Sequence, residues 1–165
     1  MVGHQSRKAW APPMSRVCSL RIAAKLENLV AIRQFIEESA SALGSDPRAV
    51  PDLLLAVDEA ATNIIIHGYR GQSGFIEIEV SQMEDSLVIC LCDQAPLFDP
   101  TQVPPPDLGL PLEMRPAGGL GIYLVRQLLD KVTHSITPDG GNQLMLVKRG
   151  VLKSQPSQKE ANLCT

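Results

Sequence analysis

No stretch of this 165-residue chain approaches the roughly 18 consecutive apolar residues that a membrane span requires. The N-terminus also lacks the apolar h-region of a secretory signal peptide. Cysteine is scarce: of Cys18, Cys90, Cys92 and Cys164, only Cys90 and Cys92 lie close together. Without a second ligand pair they do not form a zinc site. These absences lead us to expect reduced thiols and a cytoplasmic location. Positive charge is not in surplus either, with 15 basic residues against 18 acidic ones and a net charge of -3. Nucleic-acid binding usually shows as a basic face or stripe, so neither a direct nucleic-acid partner nor a membrane partner is expected.

The chain does carry the material for one core, being 44% hydrophobic and 20% charged. Residues 1–16 and 151–165 are polar, contain proline and lack apolar periodicity, so they read as flexible tails around a domain spanning 17–150. Within the domain, 19–24 predicts a short strand, 26–43 a helix stopped by Gly44, and 52–67 a second helix ended by Gly68. Residues 75–80 and 87–93 alternate as half-buried strands, which places Asp93 at a strand end on the core-facing side. On the other face Cys90 and Cys92 stand beside Glu77 and Glu79, the pattern of a solvated surface. Residues 94–117 hold seven of the chain's 13 prolines and no period, as a functional lid does. A helix is predicted over 118–132 with Leu120, Tyr123, Leu124, Gln127 and Leu128 inward, followed by a hairpin around "PDGGN". This order of elements predicts an α+β two-layer sandwich, a mostly antiparallel sheet with helices on one face.

Three segments carry candidate chemistry. In "DEAATNIIIHGYR" (58–70), Glu59, Asn63 and His67 are four residues apart, so they drift by only about 40° per step along one side of the second helix. A carboxylate can take a proton and an Asn oxygen can ligate a hard cation. Taken alone, the same spacing also describes the solvent edge of an amphipathic helix. Asp93 could accept a hydrogen bond from an exocyclic amine, or simply end its strand. "GGLG" (118–121) offers free backbone N–H groups to an anion, or merely starts a helix. Their order across a single lid segment is what makes them informative together.

In that order the segments resemble the boxes of the GHKL group of ATPases, in its anti-sigma-factor serine-kinase branch. "DEAATNIIIHGY" resembles the N box, "CDQAPLFDP" the first glycine box, and "GGLGIYLVRQLLDKVTHSITPDGGNQLMLVKR" the second with its helix and closing hairpin. The resemblance implies a Bergerat-type ATP site that uses ATP and Mg²⁺. Glu59 would be the general base for an attacking serine hydroxyl, Asn63 the Mg²⁺ ligand, and Asp93 the reader of the adenine amine. Gly119 and Gly121, with the 101–117 loop, would close over the phosphates. For His67, capping or core support is favoured over ligand contact. Ala95 departs from the usual glycine of the first glycine box, and its methyl group could crowd the nucleotide and weaken binding.

The implied function is an anti-sigma regulatory factor with serine-protein kinase activity. Its partner would be a small anti-sigma-factor antagonist of STAS-like fold, a sigma factor or both, and a homodimer is compatible with the branch. The alternative is a catalytically weak or inactive nucleotide-binding partner-switching module, which Ala95 supports. The catalytic domain of a sensor histidine kinase is disfavoured, because none of His4, His67 and His134 lies in a dimerisation helix.

Overall fold

The computed structural model describes residues 16–114 and 119–153, so most of both expected tails and part of the lid lie outside the described residues. Alternating apolar residues build five strands: β1 (Val17–Ala23), β2 (Phe75–Met83), β3 (Ser86–Asp93), β4 (Lys131–Ile136) and β5 (Asn142–Lys148). They form one sheet in the order β1-β2-β3-β5-β4, with every pairing antiparallel. Among the described residues three α-helices, α1 (Leu29–Ala42), α2 (Val50–Asn63) and α3 (Leu120–Leu128), complete the expected α+β sandwich.

The core lies between the layers. Ile76, Ile78 and Val80 of β2, Leu87, Ile89 and Leu91 of β3 and Leu146 of β5 meet Ile32 and Ile36 of α1, Leu53 and Val57 of α2 and Val125 of α3. Each such side chain contributes roughly 1.5–3 kcal/mol through burial. Ala56, Ala60 and Ala61 of α2 are buried as well.

Several elements differ from the sequence reading. The first helix begins as a 3-10 turn, Leu26–Asn28, before α1. The second starts two residues early, at Val50, and beyond Asn63 widens into a π-helical turn, Ile64–Tyr69. The third stops at Leu128 instead of running to 132. Lys148 Nζ donates to the Leu128 carbonyl at 2.6 Å, and Asp130 N already donates to Val147 O, so the sheet takes over the chain there. Its inward side chains are Ile122 and Val125, followed by Leu129, whereas Leu120 is exposed. Ile122, Val125 and Leu129 form an apolar stripe of their own, and Gly121 beside it lies against Glu59 of α2.

The sheet face away from the main core is not simply solvated. Cys90 is buried there with Val88 and Val147, and Met145 packs on them, while Glu77 and Glu79 pair with Cys92 and Cys90 across β2 and β3. Val151 and Leu152, read from sequence as tail, are buried. Both backbone N–H groups donate to Asp85 O, and Leu152 bridges Ser45.

Candidate functional site

The end of α2 and the end of β3 define the site. Where α2 widens into the π turn, Ile64, His67, Gly68 and Tyr69 line a cavity of about 490 Å³. Its walls include Asn63 and His67 from the helix side, Asp93, Ala95 and Phe98 around the end of β3, and His134 and Asn142 from the hairpin. The volume suits a small-molecule ligand.

Of the residues expected from sequence, Asn63, Asp93 and Ala95 line this cavity. His67 lines it too and is exposed, so it gives no core support. Glu59 lies one helical turn before Asn63, at the first turn of α3. A methyl group on Gly121 would stand 2.3 Å from Glu59 Oε2, which shows how closely that turn approaches the carboxylate. A helix N-terminus is a favourable place for negative charge. Gly119 caps α3 with φ +85°, a left-handed conformation that favours glycine, and a methyl there would meet Val103 of the lid segment at 3.5 Å. The neighbouring carboxylate, Asp58, is engaged elsewhere: Arg33 Nε donates to its Oδ2 at 2.6 Å.

Asp93 is held by its surroundings. Its Oδ1 accepts from Ala95 N and from Asn142 Nδ2, both at 2.9 Å, while Oδ2 has no hydrogen bond to a described residue. Burial pushes the Asp93 carboxyl above its ordinary value. The hydrogen bonds from Asn142 and Ala95, and the charge of nearby His134, oppose that shift. A buried carboxylate with one oxygen fixed and the other open is suited to accept from an N–H donor of a ligand. The methyl group of Ala95 is directed at Gly68, where an added Cβ would lie 3.0 Å from it. This glycine therefore supplies the room that Ala95 needs.

Three residues of the site were not anticipated from sequence. Asn142 pairs with Asp93 across β3 and β5, and a methyl on the preceding Gly141 would strike Asp93 O at 2.4 Å. His134 alternates inward with Val132 along β4, and Nε2 lies 2.9 Å from Asn142 Oδ1. Strand alternation could have flagged His134, whereas Asn142 needed the strand pairing. Tyr69 closes the π turn: its hydroxyl donates to Phe75 O at 2.8 Å and accepts from Gln94 N at 2.9 Å. Its ring leaves no space for a side chain on Gly74.

Among the described residues no group of three or more His, Cys, Asp or Glu side chains could hold a metal ion. The Asn63 amide, which lines the cavity, is a hard oxygen donor of the type that suits Mg²⁺ shared with phosphates rather than caged by protein. No helix among the described residues is long and apolar enough to cross a membrane.

Comparison with known proteins shows the family of the chain. The sequence profile of the histidine kinase-like ATPase domain matches residues 22–148, and the chain belongs to that family. Its curated relatives include proteins named serine-protein kinase RsbW, from Bacillus cereus (strain Q1) and Bacillus thuringiensis subsp. konkukian (strain 97-27). Each is 33% identical over 133 residues, covering 78% of this chain and 82% of the relative. A crystal structure of the RsbU and RsbW domains of a Mycobacterium tuberculosis protein shares the fold, with a TM-score of 0.55 and 19% identity over 84% of this chain. This chain spans 33% of the length of that one.

Proposed function

We propose that this protein is an ATP-dependent serine-protein kinase that acts as an anti-sigma regulatory factor in the cytoplasm. The observation that carries the reading is the division of the site. Asp93, with one open acceptor oxygen, stands at the cavity, and Glu59 lies against the first turn of α3. Asn63, one helical turn beyond Glu59 on α2, also lines the cavity.

In this reading Asp93 Oδ2 accepts from the adenine amine, and Ala60, Ile64 and Leu144 offer an apolar wall to the base. Asn63 would hold Mg²⁺, whose charge offsets that of the phosphates. The first turn of α3, entered through Gly119 and Gly121, offers backbone N–H groups to the phosphates. Glu59 takes the proton of an attacking serine hydroxyl, so that the oxygen can attack the γ-phosphorus while the bond to ADP breaks. Positioning and charge stabilisation supply most of what phosphoryl transfer needs from a protein. The acceptor serine would lie on an antagonist protein, and a sigma factor would be the competing partner.

The test is a pull-down with the purified protein, with and without ATP, followed by incubation of the captured proteins with ATP labelled in the γ-phosphate. Serine labelling is expected, together with its loss in Glu59→Ala while partner capture persists. Labelling by Glu59→Ala at the unaltered rate would refute the role of Glu59. Capture of partners with no labelling by either protein would favour the inactive partner-switching module.

A further inference from the structure

His134 and Asn142 have no part in the chemistry above, yet they connect the cavity to the start of the lid segment. The Asn142 amide is fully engaged. Nδ2 donates to Asp93 Oδ1 at 2.9 Å and to Ala95 O at 3.1 Å, while Oδ1 accepts from Phe98 N at 3.1 Å. His134 Nε2 stands 2.9 Å from the same Oδ1. An amide oxygen only accepts, so Nε2 carries a proton in this arrangement. The other ring nitrogen, Nδ1, lies 3.9 Å from Asp99 Oδ2, and the His134 side chain is only 9% exposed. Asp99 starts the 3-10 turn Pro100–Gln102: its Oδ1 accepts from Thr101 N at 2.8 Å and from Thr101 Oγ1 at 2.6 Å.

We propose that His134 is a positioning residue of the nucleotide site: with both ring nitrogens protonated, it draws Asp99 and the start of the lid segment onto β4. Through Asn142 it also keeps the Asp93 carboxylate aligned. The inference rests on the nucleotide reading above. When Nδ1 is unprotonated its lone pair faces a carboxylate, and the attraction is lost. Among the described residues, Asp99 in the lid segment and Asp93 at the end of β3 face His134, and His67 and Arg70 of the π turn line the same cavity. The charge of His134 favours the ionised forms of both Asp93 and Asp99.

The expected consequence is that nucleotide binding is tighter at about pH 6 than at about pH 8. The gain should be about two- to fivefold, as for one partly exposed ion pair. The test is calorimetric titration of Mg-ADP into the full chain at both pH values, for the unaltered protein, His134→Gln and Asp99→Asn. Glutamine keeps a donor for Asn142, and asparagine keeps an acceptor for Thr101, but both remove the charge. The phosphates of ADP titrate in this range too, identically for all three proteins, so the readout is the difference in slope. The unaltered protein should gain about two- to fivefold more affinity than either variant. Equal slopes in all three would overturn the proposal, as would variants that bind more weakly by the same factor at both pH values, which a merely structural role gives. If none of the three binds Mg-ADP, the nucleotide reading fails, and this inference fails with it.

Discussion

Replacing Gly121 with alanine should separate stability from turnover. The added Cβ would lie 2.3 Å from Glu59 Oε2 and 3.2 Å from its Cδ. The carboxylate must therefore retreat by about 1 Å to reach ordinary van der Waals contact. The atom that moves is the far end of a flexible, half-buried side chain, so the movement is cheap. Alanine within a helix also recovers roughly 0.5–1 kcal/mol relative to glycine. Stability in urea unfolding should thus stay within about 1 kcal/mol of the unaltered protein. Turnover should not be spared. A general base contributes about 10²–10⁴-fold, and a misplacement of about 1 Å can cost about 10²-fold. Single-turnover phosphate transfer should fall by roughly 100-fold, equivalent to about 2.7 kcal/mol of barrier. Mg-ATP affinity is measured alongside, so that a lost phosphate contact is not mistaken for a displaced base. Unchanged transfer would refute the placement of Glu59 as base. A stability loss above about 2 kcal/mol would show that packing, and not the carboxylate, is what requires glycine here.

Other substitutions test the supports of the site. Tyr69→Phe removes the hydroxyl that joins Phe75 O to Gln94 N, leaving two backbone groups unpaired, and should cost roughly 1–3 kcal/mol by urea unfolding. An unchanged midpoint would show that the bridge is dispensable. Ala95→Gly should change Mg-ATP affinity by less than about threefold, because the methyl packs toward Gly68. A tightening beyond about tenfold would show instead that the methyl crowds the nucleotide. Asp93→Asn should stabilise the nucleotide-free protein at neutral pH. Burial raises the Asp93 carboxyl in the folded state, so the stability it contributes is full at acid pH and is lost as the pH rises through that raised value. The asparagine variant escapes this loss, so its advantage should appear near neutrality and vanish in acid. An advantage that does not change with pH would contradict the origin given for the shift.

Local patterns made much of the architecture legible. The alternation of Ile76, Ile78 and Val80, and of Leu87, Ile89 and Leu91, marks β2 and β3 and carries Asp93 to the strand end where it is found. The spacing of Glu59 and Asn63 puts them one turn apart on α2, with Asn63 at the cavity and Glu59 against Gly121 of α3. What was not legible depends on distant partners. Asp93 and Asn142 are 49 residues apart and meet only through the pairing of β3 with β5. Periodicity assigned α3 the wrong face because the helix carries a second apolar stripe, Ile122, Val125 and Leu129, and it is this one that packs inward, with Gly121 beside it against Glu59. The π turn after Asn63 has no periodic signature, since the anchoring of Tyr69 to Phe75 and Gln94 accompanies the departure from a regular helix. His67 follows the same helical spacing as Asn63, yet the widened turn exposes it at the cavity.

The most direct test of the central claim, that this cavity is an ATP pocket read by Asp93, is calorimetric titration of Mg-ATP into the unaltered protein and into Asp93→Asn. In the variant an amide donor replaces the open acceptor oxygen, while Oδ1 can still accept from Ala95 and Asn142. The account predicts saturable binding to the unaltered protein and loss of binding in a folded variant. No binding at millimolar nucleotide, or equal affinity in the two proteins, would contradict it.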